Sequence, residues 1–304
     1  MCAAVWLAGC AYVGDPKPPT LDIPLRVTDL RALEYGAKIL VGFTLPPLTT
    51  EGLGLTGVEA IELRVSAGTS AQSYAVPATG AGAVRYDFPA KDWIGREVAL
   101  NVRATGPKGK TSEWSNSVLL AVGAPLPTPA NLRAVTVPEG VRLTWSGPPG
   151  HYWIFRGLND AAPAKIAESD TAEYIDASVD FGSPYKYFVQ AAAGALRQSE
   201  ISEVAGITPL DTFPPAVPAG LTAVAGANAI ELAWERNTES DFTSYYIYRS
   251  VDGGAFERVA APIEAPTFSD RAVEAGKKYA YAVTAIDNAG NESARSMVVE
   301  VTAQ

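Results

Sequence analysis

Apolar and polar residues alternate over short runs along the whole chain. Ile39, Val41 and Phe43 alternate in one run, Val141, Leu143 and Trp145 in a second, and Ile230, Leu232 and Trp234 in a third. Period two with polar residues between is the mark of a half-buried β-strand. A second run follows each of these: Ile61, Leu63 and Val65; Tyr152 and Ile154; Tyr245 and Ile247. Turn signals such as Gly147-Pro148-Pro149-Gly150 and Asp252-Gly253-Gly254 punctuate them. No stretch sustains a helical period. Many short alternating strands predict an all-β fold of tandem β-sandwiches.

The runs repeat. Pro-rich stretches at residues 125–129 and 209–218 divide the chain. Asp176, Val179, Gly182, Tyr185 and Tyr187 recur with identical spacing as Asp270, Val273, Gly276, Tyr279 and Tyr281. An alanine follows in both, Ala191 and Ala285, and then Ser-x-x-Ser as Ser199 with Ser202 and Ser293 with Ser296. The first block keeps Gly95, Ala104, Ser112 and Ser115 at matching offsets, with Val98 and Leu100 where the others have tyrosines. Self-similarity of this kind marks a repeat architecture. The expected division is 25–124, 125–210 and 211–304, after a segment 1–10 and a Pro-rich tether 11–24.

These blocks resemble fibronectin type III domains. Trp145 and Trp234 match that family's core aromatic, with Phe43 in its place in the first block. Its aromatic-rich third strand is matched by residues 152–156 and 245–249. Its Gly-x-x-Tyr-x-Tyr corner is matched by Gly182, Tyr185 and Tyr187 and by Gly276, Tyr279 and Tyr281. The resemblance implies immunoglobulin-like sandwiches in which the corner tyrosine packs its ring inward and bonds its hydroxyl to nearby backbone. The first block lacks the corner and is divergent.

Composition narrows the chemistry. The net charge of −9 repels phosphates and argues against a nucleic-acid partner. One histidine and two cysteines, both cysteines within the first ten residues, all but exclude a His/Cys zinc site, whose three or four ligands must converge. His151 would need an orienting partner and a nucleophile, and no nucleophile motif is present. Residues 287–292, Asp-Asn-Ala-Gly-Asn-Glu, alternate oxygen donors with glycine but depart from EF-hand spacing, so a turn is the expected reading. No catalytic residue, metal or cofactor is expected.

At the start, Leu7-Ala8-Gly9-Cys10 ends an apolar run too short to span a bilayer. It resembles the lipobox of bacterial lipoproteins, although no Lys or Arg precedes Cys10. The resemblance implies lipid on Cys10, membrane attachment and a cell-envelope location. The alternative is an ordinary N-terminal strand or an uncleaved apolar tail. Prolines 16, 18, 19 and 24 then make an extended, semi-rigid spacer.

Two functional expectations follow. The first is a non-catalytic, lipid-anchored scaffold with protein or polysaccharide partners. The second is a carbohydrate-binding or adhesion accessory protein. It would use exposed aromatics, for which Trp93 and Trp114 are the candidates because neither has a counterpart in the other blocks, and the long loop at residues 46–59.

Overall fold

A computed structural model describes residues 21–77, 80–159 and 161–304. Cys10, the apolar run before it and the tether up to residue 20 lie outside the described residues. The chain folds as three tandem immunoglobulin-like, fibronectin type III-like β-sandwiches, each a three-stranded sheet packed on a larger one.

In the first sandwich β1 (Arg31–Tyr35), β2 (Lys38–Leu45) and β5 (Gly82–Pro89) face the sheet of β3 (Ala60–Ala67), β4 (Ser70–Val76), β6 (Arg96–Thr105) and β7 (Val118–Val122). In the second, β8 (Ala130–Val137), β9 (Gly140–Ser146) and β12 (Glu173–Asp176) face β10 (His151–Leu158), β11 (Ala164–Ser169), β13 (Tyr185–Ala192), β14 (Arg197–Gln198) and β15 (Ala205–Ile207). The third repeats the scheme. There β16 (Thr222–Ala225), β17 (Ile230–Ala233) and β20 (Thr267–Asp270) face β18 (Phe242–Val251), β19 (Glu257–Arg258), β21 (Lys278–Asp287) and β22 (Val299–Thr302).

The inward set of each alternating run makes a separate core. Ile39, Val41 and Phe43 meet Leu63, Val65 and Leu100 in the first sandwich. Trp145 packs edge-on to Tyr152 at 5.3 Å in the second, and Trp234 does the same to Tyr245 at 5.1 Å in the third. Edge-to-face rings add to the stabilisation from burial alone.

The two tyrosines of each corner do different jobs. Tyr185 accepts the Asp180 N–H at 2.9 Å, and Tyr279 accepts the Glu274 N–H at 2.8 Å. Two residues on, Tyr187 and Tyr281 donate to the buried carboxylates of Asp176 and Asp270, at 2.9 and 2.8 Å. Those carboxylates also take Arg156 at 2.8 Å and Arg249 at 2.9 Å. They cap the following turn as well, through Ser178 N–H and Ala272 N–H at 3.0 Å. Burial raises the Asp176 carboxyl, but hydrogen bonds from Ser178, Tyr187 and Arg156 more than offset this and hold it below its ordinary value. Burial and the adjacent carboxylates push the Tyr187 and Tyr281 phenols far up.

The Ser-x-x-Ser motif is a pair of clamps in all three sandwiches. Ser112 and Ser115 bond the carbonyls of Ala104 and Val102 through their N–H groups, at 2.8 and 2.9 Å. Their hydroxyl oxygens accept the N–H groups of the same two residues, at 3.1 and 3.0 Å. Ser199 and Ser202 repeat this on Ala191 and Val189, and Ser293 and Ser296 on Ala285 and Val283. The side-chain oxygen replaces a strand carbonyl, so the neighbouring strand stays paired although the last segment is not yet in strand form.

One sheet runs through two sandwiches. β1 pairs in parallel with β14, Glu34 opposite Arg197 and Tyr35 opposite Gln198. The order β11-β10-β13-β14-β1-β2-β5 joins the larger sheet of the second sandwich to the smaller sheet of the first. Glu34 N–H and Gly36 N–H bond Leu196 and Gln198 carbonyls, both at 2.8 Å. The Glu34 side chain is 1% exposed and lies 3.5 Å from Arg197 Nε. Gly123 N–H also donates to it, at 2.9 Å, and Arg197 reaches the Ala124 carbonyl.

Candidate functional site

The expected aromatics part company in the structure. Trp93 is 3% exposed. Its indole comes from the single-turn helix Lys91–Trp93, joins the first core and donates Nε1–H to Tyr74 Oη at 3.2 Å. Val98 stands where the other sandwiches have the corner tyrosine. Trp93 therefore offers no ring face to a ligand, which corrects that expectation. Trp114 is half-buried, between the two serine clamps, with the Arg103 guanidinium 4.4 Å over its ring. Arg103 is in turn held by Glu62 at 2.6 Å. The loop at residues 46–59 closes on itself through a Leu48–Gly54 bridge and a Thr49 N–H bond to Leu53.

Alternation along the third strand of each later sandwich places other rings outward. On β10, Tyr152 and Ile154 face the core, which leaves Trp153 and Phe155 on the outer face. Lys165 lies 4.5 Å over the Trp153 ring and 2.7 Å from Glu168. On β18 the outer residues are Tyr246 and Tyr248. Arg258 stacks over Tyr246 at 3.6 Å and Arg295 over Tyr248 at 4.3 Å. Glu292 ties this face together, accepting Tyr248 Oη–H at 2.6 Å, Thr284 Oγ1–H at 2.7 Å and Arg258 at 2.6 Å. Each sandwich thus carries an ordered aromatic–cation stack on the outside of its larger sheet. Fixed rings beside hydrogen-bonding groups suit ligands with one apolar and one polar face. The period-two pattern already separates Trp153 from Tyr152, so this set was present in the sequence but hidden within an aromatic-rich run.

His151 opens β10. Its Nδ1 lies 2.7 Å from Asp170 and its Nε2 3.0 Å from Glu168. Both ring nitrogens face carboxylates, which leaves neither to take a proton from a nucleophile. The hydrogen bond to Asp170 and then that to Glu168 raise the imidazole above its ordinary value. His151 is the sole histidine, so its titration can be read as a single imidazole signal. NMR should place its midpoint above about 6.5 and return it toward that value in Asp170→Asn. A raised folded pKa stabilises the fold fully below the unfolded value. That contribution is lost as pH rises through the folded pKa. A midpoint at or below the ordinary value would contradict the paired geometry.

Among the described residues one carboxylate group converges. Oxygens of Asp211, Asp241 and Asp287 lie within 4.8 Å of one another. An all-oxygen set suits a hard divalent cation. Asp287, however, already accepts Asn291 N–H and Nδ2–H, both at 2.8 Å, and Gly290 takes φ 86°. These bonds shape residues 287–291 as a turn. No helix among the described residues is long and apolar enough to cross a membrane.

Known proteins share pieces of this chain. No family model matches it. Over 88 residues it is 40% identical to an amylopullulanase of Thermoanaerobacterium saccharolyticum, covering 29% of this chain and 7% of that protein. Over 159 residues it is 32% identical to exoglucanase B of Cellulomonas fimi, covering 50% of this chain and 14% of that protein. A solved Fn3-like protein from Clostridium thermocellum is 33% identical, with 30% of this chain and 96% of that chain covered and a TM-score of 0.27. The chain therefore matches only a small part of the length of these enzymes.

Proposed function

We propose that this chain is a non-catalytic accessory array that works beside carbohydrate-acting proteins in the cell envelope, tethered through lipid on Cys10. The observation that carries the accessory reading is the similarity to short pieces, 7% and 14%, of large glycoside hydrolases. The outer-face rings Trp153 and Tyr246 support a carbohydrate contact, because Lys165 and Arg258, which lie over them, can swing aside to bond sugar hydroxyls and free a ring face for the sugar C–H groups. The tether reading rests on Leu7-Ala8-Gly9-Cys10 and on the lack of any later cysteine. A diacylated cysteine would give stable attachment where one chain would not.

Two arms test this. Purified residues 11–304 should be retarded in native gels cast with pullulan or another soluble glucan, and Trp153→Ala with Tyr246→Ala should abolish the retardation. Unretarded wild type would sink the carbohydrate reading. Cys10→Ser, expressed in a diderm bacterium behind a restored upstream signal, should move from the membrane to the soluble fraction. Equal membrane retention of both forms would sink the tether.

A further inference from the structure

The joined sheet carries a groove on its outer face at the meeting of the first two sandwiches. It encloses about 530 Å³ and is lined by Arg31, Leu33, Leu40, Gly42 and Arg85 of the first sandwich and Leu196 of the second. That volume lies in the range of small-molecule sites. Register explains its shape. Arg31 is paired with Gly42 and Gly42 with Arg85, so two guanidinium-bearing side chains flank a residue with none. At two strand spacings their Cα atoms are about 10 Å apart. The next row on this face is Leu33 and Leu40, and Leu196, half exposed, closes the end.

Gly42 is the informative position. Its φ is not in the left-handed region, and both its pairings run in unbroken register. A strand-interior glycine without a bulge or turn weakens the strand, and here its lack of a side chain makes room for a guanidinium to lie flat on the sheet. The Arg31 guanidinium occupies that space, its Nε 3.0 Å from where a Cβ would stand, and Gly42 is buried beneath it. The charges point the same way. Among the described residues neither Arg31 nor Arg85 makes a hydrogen bond or an ion pair, although the chain as a whole carries −9. Asp87 also lines the groove, but Lys38 neutralises it at 3.0 Å.

We infer that this groove binds a small amphipathic anion, its apolar body on Leu33, Leu40 and Leu196 and its acidic head between Arg85 and the Arg31 guanidinium, which lies over Gly42. The inference is independent of glucan binding. Because Leu196 belongs to the second sandwich, the bound anion also bridges the two.

The test uses residues 11–304 with 8-anilinonaphthalene-1-sulfonate as anionic probe and N-phenyl-1-naphthylamine as its neutral analogue. Wild type should bind the sulfonate at one saturable site, displaced by dodecanoate. Arg31→Gln with Arg85→Gln should weaken the sulfonate at least about tenfold and leave the neutral dye little changed. Gly42→Leu should also weaken the sulfonate, by pushing the Arg31 guanidinium off its seat, with melting temperature checked for each variant. A wild type with no saturable site, sulfonate affinity indifferent to both variants, or failure of dodecanoate to compete would overturn the proposal.

Discussion

Arg197→Ala is expected to uncouple the first two sandwiches and to destabilise their joint by about 3–5 kcal/mol, the usual cost of stranding one member of a buried ion pair. The Glu34 side chain is 1% exposed and would keep only the Gly123 N–H. Arg197 is itself 32% exposed, so the lower end of that range is the better expectation. Gly123→Ala should act the same way by a different route, since its Cβ would collide with the Arg197 guanidinium. Calorimetry of residues 11–304 would show it. Wild type should melt its first two sandwiches together, and either variant should separate them and lower the first transition. A superimposable trace for Arg197→Ala would mean that the shared sheet contributes nothing to cooperativity.

A second large effect is expected at Asp270. Asp270→Ala deprives the buried Tyr281 hydroxyl of its acceptor, leaves Arg249 only the Ala272 carbonyl and removes the cap on Ala272 N–H. Loss of a buried charge partner costs about 3–5 kcal/mol, a large share of the stability of a small domain. Tyr279→Phe removes one neutral bond, to the Glu274 N–H, and should cost about 1–3 kcal/mol. The order Asp270→Ala worse than Tyr279→Phe, read by urea unfolding of the full chain, is the result that matters. Equal costs would mean that the carboxylate is not the centre of the network.

How far these sites were legible depends on where their signals lie in the chain. Strands with one buried face announce themselves by alternation, and β2, β9 and β17 do so at Ile39–Phe43, Val141–Trp145 and Ile230–Trp234. The corner and the serine pairs were visible as repeats. Their roles were not, because side chains bonding a distant backbone leave no periodicity. Asp176 and Asp270 were recognisable as a repeated position, but not as the acceptors of Tyr187 and Tyr281. Trp93 was misplaced because a three-residue helical turn carries no pattern to tell an inward ring from an outward one. The joint was missed for a similar reason: β14 has two residues. One hint did exist. Glu34 occupies an inward position of β1, on the same face as the buried Ala32, and a charge there requires a partner.

The serine clamps also bear on how the chain is made. Each closes over 8 or 13 residues, a short loop of low entropic cost. A sandwich emerging from the ribosome can therefore seize its own final segment before the next, similar sandwich is synthesised. That ordering limits strand exchange between neighbours, a common failure of tandem domains. The β1–β14 ladder is the opposite case. Tyr35 and Ile201, which meet there, are 166 residues apart. It forms only after two finished sandwiches dock, so a ribosome stalled within the second sandwich would display a first sandwich with Glu34 still awaiting its counter-ion.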